Sequence, residues 1–128
     1  MSKQAEKKVL IVEDDALLLK VLTERCQEAG FKVDFLTSGL NVTEKAKKEH
    51  PTVILLDLIL PGLDGFGVLR ELKAEAVTAA IPVVVMSNLS DASEVKSAMA
   101  LGAETFFVKA ATSVDQIIAF IEKKVSKT

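Results

Sequence analysis

The sequence predicts one α/β domain: a doubly wound, five-stranded parallel sheet with helices on both faces. Three observations lead there. Short apolar runs alternate five times with segments of helical spacing. The third run, Val53-Ile54-Leu55-Leu56, is apolar without alternation, as in a strand buried on both faces of a parallel sheet. Four of the five runs end in polar residues suited to one chemistry: Glu13-Asp14, Asp57, Ser87 and Lys109. Right-handed crossovers and short loops then narrow the topology to the doubly wound type.

Residues 1–7 are polar and are expected to be disordered. Lys8 to Val12 reads as a first buried strand running into Glu13, Asp14 and Asp15. Asp15 suits the N-cap of a helix whose apolar positions are Leu18, Leu22, Cys26 and Ala29, and Gly30 stops it. Phe31 to Phe35 alternates as an edge strand with one wet face. A short helix from about Asn41 to Glu49 turns Val42 and Ala46 inward, and Pro51 ends it. After the third strand, Pro61-Gly62 and Asp64-Gly65 mark a tight connection before a helix over Phe66 to Ala76. Pro82 to Met86 is a fourth strand. Asp91 with Glu94 resembles a capping box for a helix through Val95, Ala98 and Met99, closed by Gly102. Thr105 to Val108 is a fifth strand, and Ser113 with Gln116 is a capping box opening a last helix with Ile117, Ile118, Phe120, Ile121 and Val125 apolar.

The 128 residues fit one domain able to bury a sound core, and 49% hydrophobic content supports it. A net charge of −2 leaves no basic footprint, which argues against direct nucleic-acid binding by this chain. The one cysteine, Cys26, excludes an internal disulfide and falls on an apolar helix face, as a buried core thiol would. No apolar run approaches membrane-spanning length, so a cytoplasmic location is expected.

If strands one and three are neighbours at the topological switch point, Glu13, Asp14 and Asp57 converge at the carboxyl rim, where open α/β sheets place their ligands. Clustered carboxylates repel unless a cation sits among them. A hard divalent ion with oxygen ligands fits, which points to magnesium. Lys109 adds positive charge and Ser87 a hydroxyl. Together these make a site for a phosphoryl group in transfer. Each piece has a blander use. The acids after strand one commonly cap a helix, Ser87 commonly sits in a turn, and Lys109 alone is commonly a solvated charge. Asp64 serves its turn, His50 is a loop residue, and Met86 and Met99 look like core filling. The joint placement at successive strand ends overturns the bland reading.

Leu10-Ile11-Val12-Glu13-Asp14-Asp15, Leu55-Leu56-Asp57 with Pro61-Gly62-Leu63-Asp64-Gly65, Met86-Ser87 and Phe107-Val108-Lys109 together resemble the receiver domain of two-component response regulators. The resemblance covers nearly the whole chain, 1–128, in the right order and spacing. It implies a flavodoxin-like sheet of order 2-1-3-4-5 with five helices. It implies that Asp57 accepts a phosphoryl group from a sensor histidine kinase or phosphotransfer protein, becoming a phosphoprotein. It further implies that Asp14, Asp57 and the Ile59 backbone carbonyl bind Mg2+, with Glu13 acting directly or through water. Lys109 would pair with the phosphoryl oxygens, Ser87 would be the switch hydroxyl, and Phe106 the switch aromatic. The face formed by the last two helices and strand five would then meet an unknown downstream protein target.

Three departures from the family pattern stand out. Ala110 replaces the usual cis proline after the lysine, predicting a trans peptide and an altered or looser loop. Asn88 stands where a small residue normally admits the phosphoryl group, so its amide either narrows the entrance or contacts the ligand. Ile59 and Leu89 are apolar and cannot orient an attacking water, which predicts a long-lived phosphoryl group. The chain is thus expected to be a phosphoacceptor and no enzyme, with at most slow autodephosphorylation, acting alone or excised from a longer regulator. The competing readings are a non-phosphorylated pseudo-receiver serving as an interaction module, and an aspartate-dependent phosphohydrolase, which commonly wants an acid where Ile59 stands.

Overall fold

A computed structural model describes residues 6–89 and 91–126. Five strands form one parallel sheet: β1 (Lys8–Val12), β2 (Lys32–Leu36), β3 (Val53–Asp57), β4 (Val83–Ser87) and β5 (Thr105–Val108). Their order is β2-β1-β3-β4-β5, so the chain reverses its winding direction between β1 and β3. Five helices connect and cover them: α1 (Ala16–Glu28), α2 (Val42–Glu49), α3 (Gly65–Ala74), α4 (Ala92–Ala100) and α5 (Val114–Val125).

The apolar runs of β1, β3 and β4 are buried throughout, because alternate side chains enter two different cores. Val9, Ile11, Leu55, Val84 and Met86 face Leu22 and Cys26 of α1 and Ile117 and Ile121 of α5. Leu10, Val12, Ile54, Leu56 and Val85 face Val42 of α2, Leu69 and Leu72 of α3 and Ala98 of α4. Burying each such side chain contributes about 1.5–3 kcal/mol. The edge strands β2 and β5 are only half covered. Burial pushes the Cys26 thiol up to about 12, which fits a core thiol rather than a reactive one.

Local signals account for most helix ends. The Asp15 side chain accepts from the Leu17 and Leu18 N–H groups, and Ser113 and Gln116 form the reciprocal capping box of α5. Gly30 (φ 93°) and Gly102 (φ 105°) adopt the left-handed conformation that closes α1 and α4 in Schellman motifs, with Phe31 N–H on the Cys26 carbonyl and Ala103 N–H on that of Ala98. Four expectations need correction. Asp91 precedes α4 without a side-chain capping bond. Helix α3 ends at Ala74, where Glu75 turns extended and Thr78 Oγ1 donates to the Leu72 carbonyl at 2.6 Å. In β2, Phe35 is in register with Ile11 on the α1 and α5 face yet is 54% exposed, because β2 is an edge strand. Met99 is 43% exposed, because α4 spans only nine residues and turns just Ala98 into the core. The expected disorder of residues 1–7 falls, for 1–5, outside the described residues. Lys7 extends the sheet by accepting from Lys32 N–H, and Glu6 pairs with the Lys32 ammonium at 2.9 Å.

The β3–α3 connection carries the site and is tightly closed. Gly65 N–H donates to the Leu58 carbonyl at 2.8 Å, and Asp64 caps α3 through Gly67 N–H. A Cβ on Gly65 would lie 2.3 Å from Leu58 Cα and 2.5 Å from the Asp57 carbonyl oxygen. Backbone cannot yield there as a side chain can. Gly65→Ala should therefore lower stability by about 2–3 kcal/mol in urea titration; an unchanged midpoint would show that the loop relaxes freely.

Candidate functional site

The parallel register assembles the strand ends. Val12 pairs with Leu56, so the next residues, Glu13 and Asp57, emerge side by side. Asp57 pairs with Met86 and Ser87 with Val108, which brings Ser87 and Lys109 to the same rim. The Lys109 ammonium sits between the two acids, 2.8 Å from Asp57 Oδ2 and 2.7 Å from Glu13 Oε1. The expected residues are thus brought together.

The three acids after β1 do three different jobs. Glu13 is fully buried, and its Oε2 accepts from Asp15 N–H at 2.9 Å. Its Oε1 touches the ammonium as an ion pair but receives no hydrogen bond of good geometry. Asp15 is spent on capping α1. Asp14 is exposed and points a carboxylate oxygen to the cluster: ligand atoms of Glu13, Asp14 and Asp57 lie within 4.8 Å of one another.

Burial holds the Glu13 carboxyl above the usual carboxylate range, against the opposing pull of Lys109 and of the Asp15 N–H. For Lys109, burial lowers the ammonium pKa, but the close carboxylates of Asp57 and Glu13 outweigh it and leave the value raised. One ammonium cannot neutralise three carboxylates, so two negative charges remain uncompensated on the rim. That surplus, with carboxylate oxygens of all three acids within 4.8 Å of one another, fits a divalent cation with oxygen ligands.

Asp57 is 4% exposed, and its Oδ1 accepts from Ile59 N–H at 3.1 Å. Ile59 therefore orients the carboxylate through its backbone while its side chain lies 54% exposed. Ser87 is fully buried, with its Oγ accepting from Leu89 N–H at 3.2 Å. Phe106 is half-buried against the core beneath α2, α3 and α4. His50 is an exposed residue closing α2, as the bland reading had it.

The Lys109–Ala110 peptide is trans, as expected. Lys109–Ala111 forms one 3₁₀ turn, and Ala110 N–H donates to Asn88 Oδ1 at 3.0 Å. Sequence reasoning placed Asn88 at the entrance but missed this bond, since nothing local links residues 22 positions apart. It also missed that Leu17 (73% exposed) and Leu40 (58%) lie bare on loops and helix starts at this rim. A leucine in a helix's first turn reads as core.

A doubly wound sheet with an acid cluster and a lysine at its carboxyl rim defines a class of phosphoryl-handling α/β domains. The chain belongs to the response regulator receiver domain family, whose profile matches residues 9–122. It is 34% identical over 104 residues to the probable transcriptional regulator ycf27 of Porphyridium aerugineum, covering 81% of this chain and 42% of that protein. The chain thus spans about two-fifths of the length of the curated relatives it matches. Its fold matches the receiver domain of the sensor histidine kinase PA1611 from Pseudomonas aeruginosa, described with magnesium coordinated in the active-site cleft (TM-score 0.85, 20% identity, 96% of this chain and 100% of that one). It also matches the BeF3-activated N-terminal receiver domain of Klebsiella pneumoniae RstA (TM-score 0.84, 24% identity, 93% and 98% covered).

Removing Lys109 leaves two buried acids without their counter-charge. Lys109→Met should cost about 2–4 kcal/mol at neutral pH. The pH dependence has a definite sign. A folded-state carboxyl pKa raised above 4.5 makes the Glu13 contribution greatest at low pH and lost as pH rises through the raised value. Lys109→Met should steepen that loss, so the variant's deficit shrinks towards about pH 4. Urea midpoints across pH check this; a deficit independent of pH would contradict it.

Proposed function

We propose that Asp57 is a phosphoacceptor, taking a phosphoryl group from a histidine kinase or phosphotransfer protein with a divalent cation bound beside it. The Lys109 ammonium seated between the Glu13 and Asp57 carboxylates carries this reading. An Asp57 carboxylate oxygen attacks phosphorus, the P–N bond of a phosphohistidine donor breaks, and the imidazole leaves with a proton taken from solvent. Asp14, Asp57 and Glu13 would hold Mg2+, assisted by the Ile59 carbonyl. When bound it supplies charge neutralisation for the phosphoryl oxygens. A magnesium-bound and a BeF3-activated domain among the structural neighbours support this choice of ion and chemistry.

Lys109 then exchanges one carboxylate partner for a phosphoryl oxygen, and Ser87 leaves Leu89 N–H to donate its hydroxyl proton to another. The product adds roughly −1.5 to −2 charge, drawing both groups inward and biasing α4, β5 and α5 towards a second packing that a downstream protein reads. Phe106 lies on that path. No helix among the described residues is long and apolar enough to cross a membrane, and we take the domain to work in the cytoplasm. Bare Leu17, Leu40 and Ile59 suit the rim to a protein donor.

The domain turns over no substrate in this reading, and its acyl phosphate is long-lived. Ile59 and Leu89 offer no side-chain polar group to orient a hydrolytic water. Acetyl phosphate with Mg2+ should add one phosphoryl group to the intact protein by mass spectrometry, and none to Asp57→Asn. The label should persist well beyond seconds, and Ile59→Asn should shorten its lifetime several-fold. A protein that never labels would instead be an interaction module, and decay within seconds would refute the proposed stability.

A further inference from the structure

We infer that Asn88 is a positioning residue for the phosphoryl site, acting through its bond to the Ala110 N–H. This rests on the phosphoacceptor reading and adds a component to it. The β4–β5 ladder ends at Ser87 and Val108. Beyond that pair the chain continues into separate loops: Ser87 ends β4 and Lys109 opens the turn after β5, and these are the two groups proposed to meet the phosphoryl oxygens. Ser87 immediately precedes Asn88, and Lys109 immediately precedes Ala110. The Asn88 Oδ1 to Ala110 N–H bond, 3.0 Å long, therefore ties the loop of the hydroxyl, one residue past the last ladder pair, to the loop of the ammonium, two residues past it.

The Ala110 N–H has no other obvious use. It is an early donor of the 3₁₀ turn over Lys109–Ala111, where N–H groups lack partners within the turn. That turn is weakly closed by its own backbone, with Thr112 N–H 3.5 Å from the Lys109 carbonyl. Asn88 supplies the cap from a different loop. A proline at 110 has no N–H and could not make this bond, so the asparagine and the non-proline residue work as a pair. The pairing also gives the carboxamide oxygen a structural partner. That oxygen is held by Ala110 and is turned to the neighbouring loop, where it fixes the spacing at which Ser87 and Lys109 can close together. Preorganisation of this kind strengthens binding by removing the ordering that the ligand would otherwise have to impose.

Beryllofluoride with Mg2+ is the probe, titrated by calorimetry into the whole chain. Asn88→Ala removes the acceptor, Ala110→Pro removes the donor, and Ala110→Ser retains it. Asn88→Ala and Ala110→Pro should each weaken beryllofluoride binding about twofold to tenfold, the range of a single hydrogen bond. The double variant should bind no worse than the weaker single one. Ala110→Ser should bind as the parent does, and the urea midpoint of Asn88→Ala should stay near the parent's, because the bond lies at the surface. Additive losses, or unchanged or tighter binding by Asn88→Ala, would overturn the inference while leaving the phosphoacceptor reading intact. Failure of the parent chain itself to take beryllofluoride would overturn that reading, and this inference with it.

Discussion

One ammonium group, on Lys109, stands between two buried carboxylates that belong to strands on either side of the switch point. Glu13 comes from β1 and Asp57 from β3, and neither carboxylate is tolerable so far from water without a counter-charge. Lys109 follows β5, two strands from β3, and its ammonium reaches both acids across the rim. These two contacts therefore tie the ends of β1, β3 and β5 together. The arrangement is costly in a way that points to function: buried ion clusters seldom improve stability over apolar packing of the same volume. Here the surplus negative charge keeps the rim receptive to cations and, once neutralised, to phosphate chemistry.

The rest of the molecule serves that rim by leaving it open. Helices α1 and α5 seal one face and α2, α3 and α4 the other, so both cores are apolar and close-packed while the carboxyl ends of the strands stay reachable. The rigid frame fixes Asp57 through the Ile59 N–H and the closed Gly65 connection. The groups expected to move are held by weaker ties. Ser87 Oγ has a single loop N–H, and Phe106 is only half covered. Stability is thus unevenly spread, with the nucleophile on the firm side and the responding groups on the soft one.

Ala110 and Asn88 are departures from the family pattern that become intelligible together. Losing proline after the lysine would leave a loose turn with an unsatisfied donor, and the asparagine in the facing loop accepts from that donor. Two residues that look like separate defects in the sequence form one contact in the structure.

The sequence by itself determined the elements and the identities of the reactive groups. The unbroken apolar run before Asp57 admits only a strand buried on both faces, and Ser113 with Gln116 fixes a helix start within four residues. Such features act over one or two turns of chain, so they are visible locally. Asp91 with Glu94 looked the same and formed no side-chain cap, and Met99 lay at a core spacing yet is exposed, because the seating of α4 on the sheet decides those outcomes. Tertiary structure alone decided which of Glu13, Asp14 and Asp15 is buried, which is free and which caps a helix. It alone decided that Asn88 meets Ala110. These are contacts between segments far apart in sequence, set by strand register and loop approach, and no local pattern encodes where two such segments will touch.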